Sequence, residues 1–181
     1  MSTSSAPTKS PEQLLKEHGL FKQPVNVEAL AEALGIAVKY EELEDDFSAF
    51  LMIKHGKPTA FVNGAHHLNR RRFSLAHEIG HFIKHYKKTN RDRLFLDRTL
   101  TLYTRKENSA SENVDFQMER EANVFAAGLL MPDKLLKEYI SRHDLNISDE
   151  FDVSRLAIAF GVSEQALQIR LNNLKLAKPN F

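Results

Sequence analysis

Two histidines four residues apart inside an apolar run constrain this chain more than any other feature. The stretch FSLAHEIGHFIKH, Phe73 to His85, sets His77 and His81 among Phe73, Leu75, Ala76, Ile79, Phe82 and Ile83. Residues at i and i+4 share one face of a helix, so a largely buried helix is predicted that turns two imidazoles toward a common point. Burying two imidazoles and a glutamate among apolar side chains is unfavourable unless they have partners, and a shared cation is such a partner. Glu78 stands about 100° round the helix from His77 and can reach a water on that cation. The H-E-x-x-H spacing is that of a zinc hydrolase. Zinc accepts imidazole and carboxylate ligands and leaves a fourth position to water, whose pKa falls to about 7. Glu78 is then the predicted catalytic base, returning its proton to the leaving amine. Gly80 is unfavourable in a helix interior by about 1 kcal/mol relative to Ala and predicts that something approaches closely beside His81. His85 continues the i+4 series but lies ~12 Å along the axis from His77, beyond the reach of one ion with bonds near 2 Å. A third ligand has to come from another element.

The 181 residues, 42% of them hydrophobic, suffice for one core with an appendage. The absence of cysteine removes thiolate ligands and any cysteine-protease mechanism. A net charge of +1 offers no global attraction to nucleic acid or anionic membranes. No stretch approaches the ~18 consecutive apolar residues of a membrane span. The polar start MSTSSAPTKSP has no hydrophobic signal core. A cytoplasmic protein without a membrane partner is expected.

Residues 1–10 read as a flexible tail. Pro11 starts a short helix, PEQLLKEH, ended by Gly19, and Asn26 caps a second from Val27 to Leu34, ended by Gly35. From Ile36 the period changes: IAVKY, FSAFLMIK and TAFVN read as three strands of a small antiparallel sheet, with HGKP (55–58) as a turn. Its edge could hold an extended substrate by strand addition, or the sheet could only support the helix behind it. NRRR (69–72) opens the metal helix, where positive charge opposes the helix dipole. It reads either as a solvated basic turn or as a contact to substrate or nucleic acid; His66 and His67 before it read as loop histidines near the site. Lys87 to Asn113 is polar and aperiodic, predicting a long irregular connection over the cleft, with Tyr103 a possible stabiliser of the oxyanion. DFQMEREANVFAAGLLM, Asp115 to Met131, is a second buried helix closed by Pro132, striped by Met118, Ala122, Phe125 and Leu129. Glu119 and Glu121 flank that stripe on opposite sides. Either can turn a carboxylate to the metal, and periodicity does not choose between them.

FSLAHEIGHF together with MEREANVFAAGLLMP resembles the ImmA/IrrE family of metallopeptidases over nearly the whole chain, the first ten or so residues excepted. The resemblance implies an α+β fold: a mostly helical zincin-like core with the small three-stranded antiparallel sheet, then a helix-turn-helix-like segment. It places the third ligand on the glutamate of the EAN triplet, so that His77, His81 and Glu121 would hold one zinc ion per chain with Glu78 as base. Members cut helix-turn-helix repressors of mobile elements and stress responses, which implies an XRE-type repressor as protein substrate. Radiation-response members carry a further sensor domain for which no room follows before Phe181, and the shorter ImmA-like type is expected.

The metallopeptidase region is assigned to 11–143, with Asp133 as a helix cap, and the C-terminal segment to 144–181, packed on it. DVSRLAIAFGVSEQALQIRLNNL reads as helix, turn at Gly161, and a helix capped by Ser163. Leu156, Ala157, Phe160, Val162, Ala166, Leu167, Ile169 and Leu171 are its expected core. Gln165, Gln168, Arg170 and Asn172 are its candidate contacts to DNA or a partner. Arg155, Arg170, Lys175 and Lys178 are outweighed by Asp144, Asp149, Glu150, Asp152 and Glu164, a poor balance for neutralising phosphates. Packing or repressor docking is therefore expected ahead of DNA binding. Two other readings stand beside the peptidase: a DNA-binding regulator, and a toxin-antitoxin-like partner-binding protein, each with a structural or vestigial metal site.

Overall fold

The structure, a computed structural model, describes residues 9–44, 47–86, 93–98 and 110–176, with the backbone alone for 93–98 and 110–115. Two short helices come first, α1 (Pro11–Glu17) and α2 (Val27–Ala33), each started by a side chain that satisfies the free N–H groups of the first turn. Ser10 and Gln13 form a reciprocal capping box on α1, and Asn26 Oδ1 accepts from the Ala29 N–H at 2.9 Å on α2. Three strands follow: β1 (Ala37–Glu41), β2 (Phe47–Lys54) and β3 (Lys57–Asn63). The β2–β3 hairpin turns on His55 and Gly56 alone, both at positive φ (51° and 73°), so the turn is tighter than HGKP suggested.

The sheet is mixed rather than antiparallel, and it has a fourth strand, β4 (Arg93–Arg98). Its order is β1-β3-β2-β4, with β1 parallel to β3 and both β2–β3 and β2–β4 antiparallel. Asn63, at the end of β3, ties together the residues that follow β1 and begin β2. Its side chain is 1% exposed, and Nδ2 donates to the carbonyls of Leu43 and Phe47 at 3.3 and 3.0 Å. These bonds join positions 16 and 20 residues away in sequence, a non-local pairing invisible to strand periodicity. β4 lies within the stretch expected to be irregular. Its RLFLDR alternation is broken up by charges of the kind that protect exposed sheet edges.

One sheet face carries Ala49, Leu51, Ile53, Ala60 and Val62, all buried, and packs on α3 (Leu68–His81). On the other face, Phe50 and Phe61 stack at 4.6 Å. Helix α3 is buried from Ser74 to His81 because α4 (Ala110–Leu130) closes over its other side. A π-helical turn, Phe82–Tyr86, prolongs α3. Helices α5 (Asp133–Arg142), α6 (Glu150–Phe160) and α7 (Glu164–Asn173) complete the fold. Asp133 is the first residue of α5 rather than its cap: Pro132 holds the cap position, and the Asp133 carboxylate accepts from Lys137 at 3.0 Å.

The basic turn at the start of α3 is structural. Arg70 donates to Ser48 Oγ (2.9 Å), Arg71 lies over the Tyr40 ring, and Arg72 donates to the carbonyls of Gly161 (3.0 Å) and Val25 (2.9 Å). Asn69 adds a bond to the Val162 carbonyl at 3.0 Å. Arg72 meets the C-terminal end of α6, where a cation complements the helix dipole. Gly161 ends that helix at φ 62°, and a Cβ there would stand 3.0 Å from Arg72 Nε. Glycine therefore satisfies both the backbone and the arginine. His67 is also structural, its Nδ1 accepting from the Asn69 N–H.

Candidate metal centre

Helix α3 turns His77 and His81 to the same side, as the i+4 spacing requires, and both are buried (2% and 1% exposed). Their Nε2 atoms lie 2.9 Å apart. The carboxylate that meets them is Glu119. Its Oε2 is 3.1 Å from His77 Nε2 and its Oε1 is 3.1 Å from His81 Nε2.

Glu121, the ligand implied by the family resemblance, is not brought to this point. Two residues along a helix is a rotation of about 200°, so Glu119 and Glu121 face opposite ways. Glu121 Oε1 accepts from Gln117 Nε2 at 3.1 Å, on the side of α4 that lines a separate cavity of 530 Å³ with Lys84 and Arg120. The contact between α3 and α4 selects Glu119.

Gly80 sets the closeness of that contact. A Cβ at this position would meet the Ala122 carbonyl oxygen at 3.0 Å and its Cα at 3.1 Å. The close approach expected beside His81 is thus the α4 backbone itself. The π-helical turn then carries His85 away from the cluster. Its Nε2 donates to the Met118 carbonyl at 3.2 Å, one residue before Glu119, while its ring lies 5.5 Å from that of His81. Asn123, one turn after Glu119, places Oδ1 3.0 Å from His77 Nδ1.

The donor set fits a divalent cation. The ligand atoms of His77, His81 and Glu119 all lie within 4.8 Å of one another. Two ligands at ~2 Å from a tetrahedral zinc stand ~3.3 Å apart, close to the separations seen. Burial pushes the Glu119 carboxyl upward, but hydrogen bonds from His77 and His81, with their charge, outweigh it and hold the pKa at about 2. Glu119 is therefore a carboxylate at neutral pH. Glu78, on α3 beside His77, is fully buried at the same level of the helix. Among the described residues, no other group of histidine and acidic side chains has this convergence. Tyr103, the possible oxyanion partner, lies outside the described residues.

Residues 31–172, more than three quarters of the chain, match the family described as the IrrE N-terminal-like domain, a peptidase family. The chain belongs to the ImmA/IrrE family. That membership supports a metallopeptidase, and the His77–His81–Glu119 cluster is compatible with the metal such an enzyme needs. No curated protein matches the chain.

The C-terminal candidates divide. Gln165, Gln168 and Asn172 of α7 are exposed. Arg170 instead donates through Nε to the Met131 carbonyl at 3.1 Å, just beyond the end of α4, and its burial lowers its pKa. It binds helix to helix and is not free for phosphate. Ile169, expected in the core, is 55% exposed. No helix among the described residues is long and apolar enough to cross a membrane.

Sequence reasoning missed Asn123 and left the choice of glutamate to the family pattern. The signal for both was the i+4 spacing of Glu119 and Asn123, the same spacing that singled out His77 and His81.

Proposed function

We propose that the protein is a zinc-dependent endopeptidase in which His77, His81 and Glu119 hold the metal and Glu78 is the general base. The observation that carries this reading is the convergence of the two buried Nε2 atoms on both oxygens of one ionised carboxylate. A bound zinc ion would supply Lewis-acid polarisation of the scissile carbonyl and a more acidic water. Glu78 accepts a proton from the attacking water and delivers it to the leaving amine, a transfer favoured where bulk water is excluded. Glu119 contributes negative charge opposite the two imidazoles.

The substrate we propose is a regulatory protein, a helix-turn-helix repressor of the XRE type, whose cleavage would derepress genes of a mobile element or a stress response. Family membership supports this. Arg170, spent on the Met131 carbonyl, and the acidic balance of residues 144–181 favour a substrate-docking or packing role for α6 and α7 over DNA binding.

The test is metal content by mass spectrometry on the purified chain, followed by incubation of the zinc-loaded protein with helix-turn-helix repressors of the XRE type. One zinc per chain and a discrete cleavage, both lost after chelation, are expected. No metal uptake when zinc is supplied would overturn the reading.

A further inference from the structure

Asn123 follows Glu119 by one helical turn and touches the same histidine from the other side. We propose that it is a positioning residue that selects the metal-binding tautomer of His77, making Glu119 and Asn123 a single E-x-x-x-N device on α4. The inference rests on the zinc reading given above.

An amide oxygen can only accept a hydrogen bond. With Asn123 Oδ1 3.0 Å from Nδ1, a neutral His77 must carry its proton on Nδ1, which leaves the lone pair on Nε2. That nitrogen faces Glu119 Oε2 at 3.1 Å and His81 Nε2 at 2.9 Å, and the proton it donates to the carboxylate when the imidazole is charged is the one that a bound cation replaces. The opposite tautomer would put a hydrogen between His77 and the metal and close the site. The same hydrogen bond fixes the ring plane and makes Nε2 a more basic ligand.

Two contacts hold Asn123 where it can do this. The Gly80–Ala122 approach sets the distance between α3 and α4 one residue before it, and the bond from His85 to the Met118 carbonyl fixes the register of α4 one residue before Glu119. A slip of one residue along α4 would swing both side chains about 100° off the site. Ligand and positioning residue are thus placed by one helix contact.

The test uses the full chain as Asn123→Leu, which keeps the branching at Cγ and loses the acceptor, and Asn123→Asp, which keeps it. Zinc affinity is measured by competition with a chromogenic chelator, and the tautomer of His77 by 15N NMR of the imidazole nitrogens in zinc-loaded protein. Asn123→Leu is expected to weaken zinc binding about 10–100-fold and to lose the hydrogen-bonded Nδ1–H signal, while Asn123→Asp stays near the wild type. Wild-type zinc affinity in Asn123→Leu, or a zinc-loaded wild type protonated on Nε2 of His77, would overturn the inference and leave the peptidase reading standing. If Asn123→Leu does not fold, the wild-type tautomer decides. A wild type that binds no zinc would overturn both.

Discussion

The two sides of α4 carry similar side chains and do different things. On the side facing α3, Glu119 and Asn123 reach two buried histidines, and Gly80 lets the helix backbones almost touch. On the other side, Glu121 pairs with Gln117 beside a cavity rimmed by Phe116 and Val124, which are 58% and 59% exposed. Residue type does not separate the glutamates. Helical phase and the neighbour on each side do. A carboxylate facing solvent is well hydrated and binds a lone cation weakly, whereas one held against two imidazoles has already exchanged water for fixed partners.

The sharpest way to break this contrast is at Glu78, the proposed base. Glu78→Gln should lower cleavage by about 10²–10⁴-fold while leaving zinc content unchanged, measured as turnover and metal analysis on one preparation. Loss of metal along with activity would make Glu78 a structural residue instead. Next in size is the exchange of the two glutamates. Glu119→Ala should weaken zinc binding more than about 100-fold, beyond the loss typical of an outer partner, and Glu121→Ala should leave it unchanged. The reverse ranking, read by chelator competition, would restore the assignment implied by the family pattern.

Closing the gap between the helices tests what brings Glu119 in. Gly80→Ala must displace Ala122 backbone atoms by a few tenths of an ångström and should cost about 1–3 kcal/mol in denaturant unfolding, the usual penalty of overpacking. An unchanged midpoint would mean that the contact is looser than its distances.

The smallest effect lies far from the metal, at Tyr40. Its partial burial, and then its hydrogen bond to Glu28, raise its pKa from 10.0 to about 12. A raised folded-state value means that the fold favours the protonated phenol. The contribution is fully present below the unfolded value and is lost as pH rises through 12. Spectrophotometric titration of Glu28→Gln should show Tyr40 ionising earlier, though not at the unfolded value, since burial remains. No shift would remove Glu28 from the account.

Much of the fold was legible because its signals are local. Pro11, Asn26, Gly35, Gly161 and Ser163 mark helix ends through backbone groups within a few residues, and the structure places helix boundaries beside each of them, while Ser10, read as part of the tail, proves to be the cap of α1. The parallel pairing of β1 and the existence of β4 were not legible, since each depends on a partner distant in sequence. The arginines at 70 and 72 read as a solvated turn or a contact to substrate or nucleic acid because charge alone does not reveal that carbonyls at Val25 and Gly161, and a hydroxyl at Ser48, wait at the right distance.

The sequence by itself determined that His77 and His81 share a buried helix face with Glu78 beside them, since a period of about 3.6 residues leaves them no other arrangement. It also determined that α4 offers two carboxylates on opposite sides. Only the tertiary structure decided between them. The choice depends on which face of α4 lies against Gly80, and that is set by packing between segments some forty residues apart.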